Sequence, residues 1–181
     1  MEQGNEVTKM SEKVRKKKTL PKSVRPEEWE KLTKAVLSKD KIAIVSFLLA
    51  YGAGLRISEV CRCAKGHFNE SFIFIPESKY GVERYVPIPK GWRKEFFKYI
   101  PFGNKKTRTI QRKFKKYSLK AGLNPKYSFH SLRHGFATRL VERGVPLNQV
   151  QLALGHSNIS TTSIYIKASP QDLLKSYEEK F

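Results

Sequence analysis

The stretch Phe129–Gly144, FHSLRHGFATRLVERG, reads as a firm helix closed by Gly144, a residue suited to the left-handed turn that ends helices. Directly after it, Pro146–Gly155, PLNQVQLALG, reads as a shorter helix closed by Gly155. Two helices joined at RGVP resemble a helix-turn-helix, which keeps a plain DNA-binding regulator in contention. On the first helix His130 and Arg133 stand three residues apart, so both face one ligand, and His134 follows His130 by one turn.

Upstream of this pair the chain is also mainly helical. Residues 1–22 are polar, include KVRKKK (Lys13–Lys18) and read as a flexible basic arm. From Arg25, RPEEWEKLTKAVL offers Pro26 and two acids for a first turn, with Trp29, Leu32, Val36 and Leu37 on one face. A second helix runs from Asp40 to Tyr51 and is apolar almost all round, the mark of a buried element. Gly52 and Gly54 interrupt it, and LRISEVCRCA begins a short helix with Arg56 at its start. FIFIP and RYVPI then form a β-hairpin with Lys79 in or beside the turn. TRTIQRKFKKYSLKAG reads as a basic helix. SPQDLLKSYEEKF closes the chain as a short helix, with Ser169 as cap and Pro170 at the first helical position. The expected class is α+β, mainly α-helical, with one small antiparallel hairpin.

The chain has 181 residues, which suits one domain with a sizeable core, here residues 23–181. Its 36 Lys and Arg against 16 Asp and Glu leave +20, which calls for a polyanionic partner. Between Lys79 and Lys120 there are 14 Lys or Arg against Glu83 and Glu95, a net of +12. Lys105, Lys106, Arg108, Arg112, Lys113, Lys115 and Lys116 lie there and are the expected DNA contacts. The longest apolar run, Ile42–Ala50, falls far short of the roughly 20 residues that cross a bilayer. With no apolar signal core at the N-terminus either, the expected location is the cytoplasm, without membrane association. Cys61 and Cys63 would point to different faces of a helix, so reduced thiols are expected rather than a disulfide.

His130, His134 and His156 invite a zinc reading, but Ser131 stands where a zincin motif has its general-base Glu, and Arg133 would repel a dication. No metal and no cofactor is expected. An oxyanion suits these residues better, because guanidiniums give paired, planar hydrogen bonds to phosphate oxygens. Arg56 is the second candidate guanidinium, at a helix start where backbone N–H groups are free; taken alone it reads first as a surface ion-pair partner of Glu59, and its case rests on the residues around it. Lys79 is by default a solvated turn lysine, yet beside a phosphate its ammonium could protonate a departing alkoxide. Tyr165 is either a core aromatic with Ile159, Ile164 and Ile166, or a phenol made nucleophilic by dense positive charge.

Taken in order, LRISEV, KYGVERYVPI, HSLRHGFAT and LGHSNISTTSIY resemble the catalytic domain of the tyrosine recombinases, the Xer and phage-integrase family, from about Leu20 onward. The resemblance implies a catalytic set of Arg56, Lys79, His130, Arg133, His156 and Tyr165. In it Arg56 and Arg133 clamp the scissile phosphate, and His130 accepts a proton. His156 holds or orients the phosphate, Lys79 protonates the 5′-oxygen, and Tyr165 forms a 3′-phosphotyrosyl bond. Glu59 would orient Arg56, and His134 would give structural support. The implied function is a site-specific recombinase or integrase acting on double-stranded DNA. The implied partners are further copies of the chain, joined through residues 170–181, and a separate core-binding domain, since family members carry a helical one that is expected to be absent here.

Overall fold

The computed structural model describes residues 22–76, 83–100, 107–155 and 170–180. Seven helices and one hairpin are formed by the described residues: α1 (Pro26–Ala35), α2 (Lys41–Ala53), α3 (Ile57–Arg62), β1 (Phe72–Ile75), β2 (Arg84–Pro87), α4 (Thr107–Lys120), α5 (His130–Glu142), α6 (Leu147–Leu154) and α7 (Pro170–Lys180). Short 3₁₀ helices at Lys65–His67 and Lys94–Tyr99, which the apolar pattern does not announce, fill the connections around the hairpin.

α2 is the central element. The Asp40 carboxylate caps its start by accepting from the Ala43 N–H at 3.2 Å. Because nearly every face of the helix is apolar, it is packed on several sides, against α5, α4 and α3. Phe47 of α2 meets Phe114 and Tyr117 of α4 and Phe129 edge-on, with ring centroids 5.7 to 6.4 Å apart. α1 buries Leu32, but it ends at Ala35, so Leu37 falls outside the helical face and is 40% exposed. The expectation that Leu37 shares the Trp29 and Leu32 face is thereby corrected; the early helix stop rotates it away. Cys61 and Cys63 are free thiols, and burial pushes the Cys63 thiol up to about 12.

β1 and β2 pair antiparallel, with Phe72 opposite Pro87 and Ile75 opposite Arg84. The inward residues of β2 are Arg84 and Val86. A second apolar cluster gathers Phe136 and Leu140 of α5, Val150 and Ala153 of α6, and Leu173 and Tyr177 of α7. α7 therefore folds back on its own chain, with Leu173 fully buried and the Tyr177 hydroxyl donating to the Gly52 carbonyl at 3.1 Å. No helix among the described residues is long and apolar enough to cross a membrane.

Candidate active site

Two left-handed glycines make the local turns on which the site is built. Gly54, at φ +70°, closes α2 and sends the chain straight into α3 with Arg56 at its N-cap. The Arg56 backbone N–H donates to Glu59 Oε2 at 2.7 Å, the reciprocal half of a capping box. Gly155, at φ +59°, closes α6, and its N–H reaches back to the Gln151 and Leu152 carbonyls.

A helix leaves its last four carbonyls without internal partners. Those of Gln151 and Leu152 are served by Gly155; the next three carbonyls are each taken by a different arginine. Arg84 Nε donates to the Ala153 oxygen at 2.7 Å, Arg133 Nη2 to the Leu154 oxygen at 2.5 Å, and Arg56 Nη2 to the Gly155 oxygen at 2.9 Å. Positive charge at a helix C-terminus also opposes the negative end of its dipole. Arg133 is held from the other side by the Gly54 carbonyl, at 2.7 Å from Nη1.

Glu59, with a side chain only 2% exposed, is the one carboxylate of the cluster among the described residues. Arg84 pairs with it bidentately at 2.9 and 3.0 Å, Arg56 Nη1 lies at 2.9 Å and Arg133 Nη1 at 3.8 Å. Burial by itself would raise the Glu59 carboxyl, but the hydrogen bonds and charge of Arg84, with the contacts from Arg56, hold it down to about 2. Three guanidiniums against one carboxylate leave the cluster near +2. Arg56 and Arg133 each donate two of their five N–H groups to described partners, which leaves three apiece for an anion.

His130 is exposed at the first position of α5, and His134 is half-buried, with ring centroids 6.3 Å apart. Partial desolvation and the Arg133 and Arg56 charges lower the His130 imidazole, which favours its neutral form. Desolvation, His130 and Arg133 lower His134 in the same way. Burial, with the Arg56 charge, also lowers Arg133, to about 9, which leaves it cationic at pH 7. Among the described residues no three His, Cys, Asp or Glu cluster as metal ligands do.

Of the residues expected from sequence, Arg56, Glu59, His130, Arg133 and His134 come together here. Lys79, His156 and Tyr165 lie outside the described residues, as do Lys105 and Lys106. On α4, Arg108, Arg112, Lys115 and Lys116 are exposed, while Lys113 turns to Asp40 in an ion pair of 2.6 Å. A cavity of about 220 Å³, lined by Gln111, Lys115, Tyr127 and Ser128 among others, joins that basic face to His130. Arg84 is the member that sequence reading passed over. The alternation of RYVPI carries its signal, because Arg84 shares the inward face with Val86 and an inward arginine needs a buried partner.

Residues 22–172 match the phage integrase family, and the chain belongs to that family. Tyrosine recombinase XerA of Thermococcus onnurineus is 36% identical over 181 residues, an overlap of 90% of this chain and 64% of that protein. The chain thus spans less than two thirds of that relative's length. The fold is shared with the integrase from mycobacterium phage Brujita, at a TM-score of 0.73 and 23% identity over 92% of this chain and 60% of that one. It is shared also with the lambda integrase catalytic core, at 0.61 and 20% identity over 78% of this chain and 95% of that one.

Proposed function

We propose that the chain is a site-specific recombinase that cleaves and rejoins double-stranded DNA through Tyr165. The carrying observation is that the end of α6 is gripped by Arg56 and Arg133, and the segment with His156 and Tyr165 follows it in the chain. The Arg56 and Arg133 N–H groups left over from protein contacts hold the nonbridging oxygens of one phosphodiester. The Tyr165 oxygen attacks phosphorus, His130 takes the phenolic proton, the bond to the 5′-oxygen breaks and Lys79 protonates that oxygen. His156 donates to the phosphate. One phosphoester replaces another, so rejoining is the same step in reverse and needs neither metal nor cofactor.

The exposed α4 cations Arg108, Arg112, Lys115 and Lys116 supply sequence-independent affinity for the duplex. The archaeal and phage sources of the similar proteins support a cytoplasmic location and a prokaryotic or viral origin. Full strand exchange would add further protomers and a core-binding domain. An assembly that seats Leu173 and Tyr177 on a neighbouring protomer would require α7 to leave the place where they are now buried.

The test is incubation with a nicked suicide duplex, followed by a denaturing gel. A covalent adduct from wild type that vanishes in Tyr165→Phe is expected. Duplex binding with no adduct refutes the reading and leaves a DNA-binding regulator.

A further inference from the structure

Arg84 touches no position that a substrate occupies in the reading above, yet among the described residues it is the most completely enclosed charge, with its side chain 1% exposed. It joins three elements distant in sequence. From β2 it reaches 25 residues back to Glu59 in α3 with both terminal nitrogens, and 69 residues forward to the Ala153 carbonyl of α6 with Nε. It also packs beneath the turn that follows: a Cβ built on Gly155 would stand 2.8 Å from Arg84 Nη1 and 3.0 Å from its Cδ.

The consequence lies in what Glu59 would do without it. Both Glu59 oxygens are engaged by Arg84, and Arg133 stands off at 3.8 Å. Remove the Arg84 guanidinium and a buried carboxylate remains with Arg56 and Arg133 as its nearest cations. It would draw their N–H groups inward, away from a phosphate, and halve the net positive charge of the cluster. The Ala153 carbonyl would lose its donor at the same time, which loosens the α6 terminus that the other two arginines hold.

We propose that Arg84 is a positioning residue for cleavage: by saturating Glu59 and pinning the α6 terminus, it keeps Arg56 and Arg133 turned toward one phosphate. This role rests on the cleavage reading given under Proposed function.

The full chain is made as wild type, Arg84→Met, Arg84→Lys, Glu59→Gln and the pair Arg84→Met with Glu59→Gln. Each is measured for duplex binding and for single-turnover cleavage of a suicide duplex between pH 6 and 8. Arg84→Met is expected to bind duplex within about 3-fold of wild type, since phosphate contacts elsewhere carry affinity. Its cleavage is expected to fall ~100-fold, the scale of an ångström's misplacement of a catalytic group. Arg84→Lys keeps the charge but not the fork and is expected to fall ~10-fold. The pair should cleave faster than Arg84→Met, because the neutral amide no longer competes for Arg56 and Arg133.

The pH profile carries a signature that mere destabilisation lacks. The groups facing Glu59 are Arg56 on its own helix, Arg84 from β2 and Arg133 from α5, with His130 close enough to feel its charge. Without Arg84, burial dominates and Glu59 takes up a proton at higher pH, so the ratio of Arg84→Met to wild-type cleavage should rise as pH is lowered. Dividing by wild type removes the part of the His130 and His134 titration that the two proteins share. If Arg84→Met does not fold, Arg84→Lys is read in its place by its ~10-fold loss of cleavage at unchanged duplex binding. Wild-type cleavage rates in both Arg84 variants, or a flat ratio with no recovery in the pair, overturn the proposal. An adduct-free wild type overturns the cleavage reading itself, and this role with it.

Discussion

Replacing Glu59 by Gln should convert a pH-dependent stability into a pH-independent one. The Glu59 carboxyl is held at about 2 in the folded chain against an ordinary 4.5. At ~1.4 kcal/mol per tenfold change in proton affinity, that gap makes the ionised form worth about 3 kcal/mol of folding free energy. The contribution is depressed-carboxylate in sign: it is complete above pH 4.5 and drains away as pH falls toward 2. Little solvent screening reduces it, since the Glu59 and Arg84 side chains are 2% and 1% exposed. Gln keeps the volume but leaves the Arg84 guanidinium buried without a counter-charge, a loss of ~3 kcal/mol or more at pH 7. Urea unfolding of both proteins at pH 7, 5, 4 and 3 measures the difference between them, which also removes the general acid sensitivity of a chain with net charge +20. The difference should be flat from pH 7 to 5 and shrink by ~2 kcal/mol by pH 3. A difference that stays constant to pH 3 would refute the claim that Glu59 is held ionised by its arginines.

Two further outcomes are expected. Gly155→Ala should lose about 2 kcal/mol, or ~6 °C in thermal midpoint, from left-handed strain plus the displacement of Arg84. Gly144, at φ +75° with open space around it, is the control that carries strain alone, so Gly144→Ala should leave cleavage intact where Gly155→Ala does not. Equal cleavage by the two variants would break the link between the α6 turn and the site. Arg112→Ala on the exposed face of α4 should lower the slope of log affinity against log salt by ~0.9 without altering cleavage of bound duplex. An unchanged slope in filter binding would take α4 off the DNA.

The helices were readable in the sequence because each carries its own punctuation: Pro26 opens α1, and Gly54, Gly144 and Gly155 close α2, α5 and α6. Arg56, His130 and Arg133 were readable through motif spacing. The partners of those residues were not. Arg133 is positioned by the carbonyls of Gly54 and Leu154, and every residue has a carbonyl, so such acceptors leave no trace in a sequence. Arg84 was obscured for a related reason, its partner Glu59 lying 25 residues away where it already serves as the obvious partner of Arg56. Charge runs mislead in the opposite direction. Lys113 belongs to the basic stretch by sequence, but the start of α2 packs beside α4 and brings Asp40 within 2.6 Å of it, with the Tyr117 hydroxyl on the same oxygen at 2.9 Å.

Building the site on helix ends has a consequence for how it assembles. Arg56 and Arg133, the proposed phosphate clamp, are fixed to backbone carbonyls at the close of α2 and of α6, and Glu59 is fixed to the backbone at the start of α3. Main-chain anchors move only when whole helices move, so the clamp is as rigid as the packing of α2 against α5 and of α5 against α6. The same α6 terminus leads into the segment that carries His156 and Tyr165. The proposed arginine clamp, complete only when α6 is seated, therefore also starts the segment of the proposed nucleophile from a fixed point. The two halves of the proposed chemistry, phosphate holding and attack, share one structural condition. Loss of the Ala153, Leu154 and Gly155 contacts would disable both together.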